Sequence, residues 1–229
     1  MKIIIFAGPP TAGKTSIIKH IVKRLKKNIA YFKMDVQFTD DDTFLKKLGV
    51  PTKKVYSGEL CPDHCFVLVL KEVIEWAEKK KTKILLVETA GLCFRCSPYI
   101  NNALGIAVLE ATSGMNLPQK IGPIISLADM VAVTKIDLIS QAEREVFRTG
   151  IQRRKKPEVI IEVDALRGIN IEPILKAIEK CKETKEPYKL RGVAPIGVCT
   201  LCVGKREIGW DKHFGILRKL NSNLFYRGE

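Results

Sequence analysis

The 229-residue chain lacks a long apolar run. No stretch approaches the ~20 consecutive apolar residues that a membrane-spanning helix needs. The apolar segment from Met1 to Ala7 leads straight into a glycine-containing loop and is too short for a secretory signal peptide. We therefore expect a cytoplasmic protein without a membrane span.

The chain also lacks the cysteine pattern of a disulfide-stabilised protein, because its seven cysteines are an odd number. In a reducing cytoplasm, cysteines remain thiols or bind metal ions. The sequence therefore favours reduced or metal-bound cysteines over a disulfide framework.

Acidic residues are too few to balance the 39 basic ones, which leaves a net charge of +14. Such a charge raises nucleic acid, anionic membranes and nucleotides as partners. The basic residues, however, form short runs that flank predicted helices, where charge runs are usually solvated faces. Since no aromatic platform motif accompanies them, we do not expect nucleic acid to bind.

Apolar runs alternate with amphipathic helical patterns along most of the chain. Continuous apolar runs are typical of strands buried on both faces of a parallel sheet. The alternation predicts an α/β fold with a mainly parallel sheet flanked by helices. The runs lie at residues 3–7, 30–34, 84–87, 106–109, 130–133 and 159–163, and the helical patterns at 16–27, 66–80, 140–147 and 171–180.

The sequence GPPTAGKT at residues 8–15 matches the phosphate-binding loop pattern G-x-x-x-x-G-K-[ST]. It lies between a predicted strand and a predicted helix, where a chance glycine-rich turn is not expected. Loop amides and the helix N-terminus would bind phosphate, Lys14 would reach the β- and γ-phosphates, and the Thr15 hydroxyl would bind Mg²⁺. The predicted phosphate contacts are Gly8, Pro9, Pro10, Thr11, Ala12, Gly13, Lys14, Thr15 and Ser16.

The sequence TKIDL at residues 134–138 follows a predicted strand and indicates guanine recognition. One carboxylate, that of Asp137, can accept both adjacent N–H donors of guanine, whereas adenine offers no such pair. Lys135 would lay its methylene stem over the base. The alternative is an ordinary strand-to-helix turn, but the upstream P-loop favours the guanine site. A second contact to the base through backbone amides is predicted at Asp164, Ala165 and Leu166.

The pattern changes after Glu183. Glu186-Pro187 and the segment 192–197, rich in glycine and proline, predict an irregular connection. The residues beyond it show little helical periodicity. We predict a P-loop NTPase domain over residues 1–185 and a small cysteine-containing C-terminal arm over residues 186–229.

Glu88-Thr89-Ala90-Gly91 lies where most P-loop GTPases carry Asp-x-x-Gly. With a glutamate there, the chain resembles the SIMIBI-class GTPases that mature metalloenzymes: the urease accessory, hydrogenase maturation and CobW-like proteins. The segment LPQKIGP at residues 117–123 and the TKIDL strand end are especially similar to the urease accessory GTPase. Residues 35–39, DVQFT, resemble that family's first switch. The resemblance covers roughly residues 1 to 182.

The resemblance implies a slow GTPase in which Lys14, Asp35 and Glu88 handle the reacting phosphate, while Thr15, Asp35 and Glu88 surround Mg²⁺. It also implies a homodimer that serves a client metalloenzyme or its accessory proteins. No glutamine or arginine is assigned to activate water, which predicts slow turnover.

The chain departs from the family in two places. Thr134 stands where the family usually has asparagine, so we expect a weaker supporting hydrogen bond. The histidine-rich tail with which some members store nickel is absent, since the chain has three histidines.

The sequence GELCPDHC at residues 58–65 is predicted to form a metal-binding turn stiffened by Pro62. In the family, this segment carries a Cys-Pro-His or cysteine-rich metal motif, which makes Cys61, His64 and Cys65 candidate ligands. Thiolate and imidazole ligands favour Zn²⁺, Ni²⁺, Co²⁺ or Cu⁺. A disulfide is unusual in a reducing compartment, and a catalytic thiol would have His64 alone as its base.

Cys93 and Cys96 lie just beyond Gly91, at the position of the second switch. With Cys61 and Cys65 they would supply four sulfur ligands for Zn²⁺ or an iron–sulfur cluster. The alternative is that they pack a loop as small apolar side chains, but two pairs that flank one switch favour metal.

Cys199 and Cys202 form a further pair in the predicted arm, flanked by glycines. Its remaining ligands would come from elsewhere, such as His213 or a second protomer.

These patterns favour a GTP-hydrolysing metallochaperone that delivers or licenses insertion of Ni, Co, Zn or an iron–sulfur cluster into a client enzyme. Two alternatives belong to other functional classes. A P-loop small-molecule kinase would account for the nucleotide motif but needs an arginine-rich lid, which we do not find. A nucleotide-gated iron–sulfur or redox module would account for the cysteines.

Overall fold

The computed structural model describes residues 1–25, 28–37, 40, 42–91, 96–192 and 205–228. Seven strands form one sheet in which every neighbouring pair is parallel, in the order β3-β2-β4-β1-β5-β6-β7. The strands are β1 (Lys2–Ala7), β2 (Ile29–Asp35), β3 (Thr52–Tyr56), β4 (Ile84–Glu88), β5 (Leu104–Glu110), β6 (Met130–Thr134) and β7 (Ile160–Glu162). The predicted α/β fold is confirmed.

Helices cover both faces of this sheet. They are α1 (Lys14–Leu25), α2 (Thr43–Lys47), α3 (Pro62–Lys79), α4 (Leu117–Lys120), α5 (Gly122–Leu127), α6 (Gln141–Gln152) and α7 (Glu172–Lys180). The central strand β1 shows how the two faces are filled. Ile3 and Ile5 pack in the cluster that contains α3 and α6, whereas Ile4 and Phe6 pack in the cluster that contains α1 and α7. This two-sided burial explains the continuous apolar runs.

The predicted turn at CPDHC is wrong, because Pro62 to Cys65 form the first turn of α3. Pro62 occupies the start of the helix, where a missing N–H costs nothing and the fixed φ suits the helix. Cys61 precedes it, and its carbonyl accepts a hydrogen bond from the amide of Cys65 at 2.9 Å. Cys61 therefore directly precedes α3, and His64 and Cys65 lie in its first turn.

The described part of the C-terminal region contains an antiparallel hairpin, β8 (Gly215–Arg218) and β9 (Leu224–Arg227), which lies against α3. The Gly209 amide donates to the Val67 carbonyl at 3.0 Å, and Leu217 is fully buried. These contacts place the hairpin beside the helix that begins at CPDHC. Among the described helices, none has both the length and the apolar character that crossing a bilayer requires.

Candidate nucleotide and metal site

Residues 8–13 join the end of β1 to the start of α1, and α1 begins at Lys14. The buried Lys14 ammonium donates to the carbonyls of Gly8 at 2.9 Å and Pro9 at 2.8 Å. Burial lowers the pKa of Lys14, and the negative charge of Glu88 opposes that shift. Lys14, the predicted phosphate contact, is thus held by the carbonyls of the loop, where phosphate oxygens would be competing acceptors.

Two glycines allow the P-loop to approach its neighbours closely. A Cβ atom on Gly8 would lie 1.9 Å from the Val108 carbonyl oxygen, and one on Gly91 would lie 1.6 Å from the Gly8 carbonyl oxygen. Gly91 also has a φ of +71°, which other residues rarely adopt. The glycine of Glu-x-x-Gly is therefore in direct backbone contact with the phosphate-binding loop.

Oxygen atoms from three elements converge beside the P-loop. Thr15 Oγ1 donates to Glu88 Oε1 at 2.7 Å, and the Tyr31 hydroxyl donates to Glu88 Oε2 at 2.6 Å. Asp35 lies at the end of β2 and lines the same cavity of about 520 Å³ as Thr15 and Glu88. A hydroxyl and two carboxylates are hard oxygen ligands, so these residues fit Mg²⁺.

Lys33 of this cavity was missed in the sequence, whereas Gln37 belongs to the segment 35–39 that resembles the first switch. Lys33 Nζ lies 3.3 Å from Asp35 Oδ2 and 3.6 Å from Glu88 Oε1. Gln37 also lines the cavity. The period of two along β2 was the available signal for Lys33, because side chains at positions 31, 33 and 35 point to one face of the sheet.

The predicted base-binding residues follow β6. Lys135 has a left-handed φ of 55° and forms an ion pair with Glu110, while Asp137 is exposed in the 3-10 turn Ile136–Leu138. Glu110 also accepts from Thr11 Oγ1 at 3.0 Å and Ser113 Oγ at 2.8 Å. Burial opposes ionisation of Glu110, but these three donors outweigh it and lower its pKa. Glu110, which sequence reasoning missed, thus connects the lysine to the P-loop.

Thr134 compensates in part for the absent asparagine. Its side chain is fully buried, and its hydroxyl donates to the Ala12 carbonyl of the P-loop at 2.8 Å. The threonine therefore retains a direct hydrogen bond between the end of β6 and the P-loop.

The turn after β7 lies beside the same loop. Asp164 Oδ1 accepts from the amides of Leu166 at 3.0 Å and Arg167 at 2.9 Å. Ala165 is buried, and its Cβ lies 3.0 Å from the place that a Cβ on Gly13 would occupy. The base-binding role of Asp164, Ala165 and Leu166 stays a prediction.

The predicted metal ligands of α3 have very different surroundings. Cys61 is exposed, whereas Cys65 is fully buried and its burial raises the pKa of the thiol to about 11. The role of Cys65 as a metal ligand stays a prediction. Cys96 is partly exposed. Cys93, Cys199 and Cys202 lie outside the described residues.

His64 lies beside a histidine of the C-terminal region. The rings of His64 and His213 are 5.7 Å apart between centroids, and both side chains are buried. Burial, with a smaller contribution from His213, lowers the pKa of His64 to about 4. His213 Nε2 lies 3.2 Å from the Glu207 carbonyl oxygen. In the part of the chain that the structure describes, no three or more histidine, cysteine or acidic side chains form a metal-binding group.

Comparison with known proteins gives a consistent result. The family model for the CobW/HypB/UreG nucleotide-binding domain matches residues 2–162. Uncharacterized protein MJ0120 of Methanocaldococcus jannaschii is 46% identical over 235 residues, which cover 100% of both chains. The urease accessory protein UreG of Aliarcobacter butzleri is 29% identical over 179 residues, which cover 72% of this chain and 91% of that protein.

The fold has a matching solved structure. HypB from Helicobacter pylori in complex with nickel superimposes with a TM-score of 0.63 at 18% identity, covering 81% of this chain and 91% of that one. This likeness concerns the fold, and the family follows from the sequence match over residues 2–162. The chain belongs to the CobW/HypB/UreG family of SIMIBI-class P-loop GTPases.

Proposed function

We propose that the chain is a GTP-binding and hydrolysing metallochaperone that delivers a metal ion or cluster, or licenses its insertion, into a client metalloenzyme. The observation that carries this proposal is the hydrogen bond between Thr15 and Glu88. It joins Thr15 at the start of α1 to the acidic residue that ends β4, where most P-loop GTPases carry an aspartate. That contact lies within the region matched by the family model.

The phosphate chemistry is assigned to residues of one cavity. Thr15, Asp35 and Glu88 would hold Mg²⁺, which when bound neutralises phosphate charge. Lys14 would leave the carbonyls of Gly8 and Pro9 and donate to the β- and γ-phosphates. Lys135 and Asp137 would orient the guanine base. These assignments give a role to Lys14, Asp35 and Glu88, three of the charged residues that line the cavity.

The cargo is proposed to be Ni, Co, Zn or an iron–sulfur cluster, held near the start of α3. His64 of α3 and His213 of the C-terminal arm over residues 186–229 would be two ligands that already lie together. Cys61 does not form a three-residue group with them among the described residues, so it would have to move to join them when metal binds. Two imidazoles on one tetrahedral zinc ion have ring centroids about 5–6 Å apart, given Zn–N bonds of ~2.0–2.1 Å. The distance of 5.7 Å fits that arrangement. Cys93 and Cys96 remain proposed ligands from the second switch.

Coupling between cargo and nucleotide would pass through the first turn of α3. Burial lowers the pKa of Lys14, and the negative charge of Asp63, which lies between Cys61 and His64, is the smallest of the contributions that oppose this shift. A change in the charge at the phosphates would therefore change the electrostatic potential at the start of α3. A homodimer and a client enzyme with its accessory proteins complete the proposal, in line with the family.

The purified chain should release phosphate from GTP without any added acceptor. We expect a slow intrinsic rate, on the order of 10⁻⁴–10⁻² s⁻¹, as for GTPases without an external activator. Phosphate release should be measured with GTP and with ATP, each with and without Zn²⁺. Hydrolysis that depends on an added small-molecule acceptor would support the kinase instead. A GTPase rate that metal leaves unchanged, together with a redox-active absorption spectrum, would support the redox module.

A further inference from the structure

Lys33 is a buried lysine at the centre of the candidate Mg²⁺ site. It lies on β2, where the parallel register pairs it with Glu88 on β4. Its ammonium is 3.3 Å from Asp35 Oδ2 and 3.6 Å from Glu88 Oε1, and the residue is 5% exposed. The same two carboxylates are the ones that fit Mg²⁺.

The negative charges of the buried Glu88 and of Asp35 explain why a lysine occupies position 33. Glu88 is 3% exposed and faces the same cavity as Asp35. Removing an ionised carboxylate from water costs several kcal/mol unless a cation compensates. Lys14 is directed to the carbonyls of Gly8 and Pro9. Lys33 therefore provides the cation that contacts both carboxylates.

A bound Mg²⁺ would need the same oxygen atoms. Its carboxylate ligands lie at 2.0–2.1 Å, and an ammonium within 3.3–3.6 Å of those oxygens would repel the ion at close range. The ammonium must therefore move when the ion enters. Lys33 lines the phosphate cavity, and phosphate oxygens are strong acceptors for a displaced ammonium.

We propose that Lys33 is an internal competitor of Mg²⁺: its ammonium bridges Asp35 and Glu88, and Mg²⁺ displaces it toward the phosphates of the nucleotide. The identity of the nucleotide in this inference rests on the proposed function, whereas the competition between Lys33 and Mg²⁺ is independent of it. Lys33 is thus a positioning residue that makes binding of the ion and contact with the phosphates two parts of one rearrangement.

Replacing Lys33 with methionine removes the charge and keeps a long unbranched side chain. Calorimetric titration with Mg²⁺ alone should give Lys33→Met an affinity about tenfold tighter than that of the wild type, since roughly 1.4 kcal/mol of competition is removed. Binding of a fluorescent non-hydrolysable GTP analogue in EDTA should weaken at the same time, because a cation near the phosphates is lost. Lys33→Arg should stay close to the wild type in both measurements.

Lys53→Met is the matched control, because Lys53 lies on β3 and its ammonium contacts Asn221 at 3.2 Å. It should behave as the wild type, and thermal unfolding should show that all variants are folded. Equal Mg²⁺ affinity in the wild type and Lys33→Met would overturn the inference. So would a Lys33→Arg variant that binds the GTP analogue as weakly as Lys33→Met does. A wild type that binds no guanine nucleotide would instead overturn the proposed function, and the titration with Mg²⁺ alone would still decide the role of Lys33.

Discussion

Lys14→Ala should abolish GTP hydrolysis while the protein remains folded. The Lys14 ammonium emerges from the first turn of α1 and is held by the Gly8 and Pro9 carbonyls. In the complex with GTP, it would face the β- and γ-phosphates, where negative charge builds up in the transition state. Loss of one preorganised donor of this kind typically costs about 10²–10³ in rate. We therefore expect phosphate release to fall at least about 100-fold.

The alanine variant should also lose some stability, because two carbonyl groups lose their buried donor, at a cost of about 1–3 kcal/mol. Chemical unfolding with circular dichroism would measure that cost. Lys23→Ala is the control on the same helix, since the Lys23 ammonium lies 5.0 Å from the Phe44 ring. Its hydrolysis should match the wild type. A folded Lys14→Ala protein that hydrolyses GTP at the normal rate would contradict the assignment of the P-loop.

Asp137→Asn should change base preference from guanine to xanthine. Asp137 is exposed in the turn after β6, beside the Lys135 that contacts Glu110. Its carboxylate can accept both N–H donors of guanine, whereas an asparagine amide offers one acceptor and one donor, which matches xanthine. A hydrogen bond to a charged group contributes about 1.5–3 kcal/mol, so GTP affinity should fall about 10- to 100-fold.

Equilibrium binding of GTP, xanthosine triphosphate and ATP to both proteins would test this change. Xanthosine triphosphate should become the better ligand for the variant. Glu145→Gln, an exposed change on α6, should leave the preference unaltered. Equal affinity of the wild type for ATP and GTP would refute the guanine assignment.

Much of the fold could be predicted because the central strands are buried on both faces. The runs at 3–7, 84–87 and 106–109 correspond to β1, β4 and β5. Strand β3 was missed because its sequence, TKKVY, contains two lysines and it lies at the edge of the sheet, where one buried residue suffices. The start of α3 was placed too late, since Pro62 was interpreted as a turn residue although proline also begins helices.

The candidate site was predictable where a local pattern encodes it. The P-loop is one contiguous segment, and TKID follows a strand directly. Glu110 and His213 carry no such pattern, because their roles arise from contacts with residues that are distant in sequence. For Lys33, the period of two along β2 gives the face of the sheet but not the contact with Glu88. The burial of Cys65 was equally hidden, since spacing in a motif does not reveal which side of a helix faces the core.

The proposed function requires coupling between nucleotide and metal at the start of α3. The variant that tests it is Cys61→Ser/His64→Gln, and Cys181→Ser is the control, because Cys181 follows α7 and is partly buried there. Each protein should be purified anaerobically and shown to be folded by circular dichroism.

The decisive measurement is a Zn²⁺ titration of the wild type and these variants, with GDP and with a non-hydrolysable GTP analogue. The Zn²⁺ affinities of the wild type and of Cys181→Ser should differ between the two nucleotides by about 10- to 100-fold, in the range of usual coupling energies. The double variant should lose that difference. Equal stoichiometry and affinity for every protein with both nucleotides would contradict the proposed coupling between nucleotide and metal.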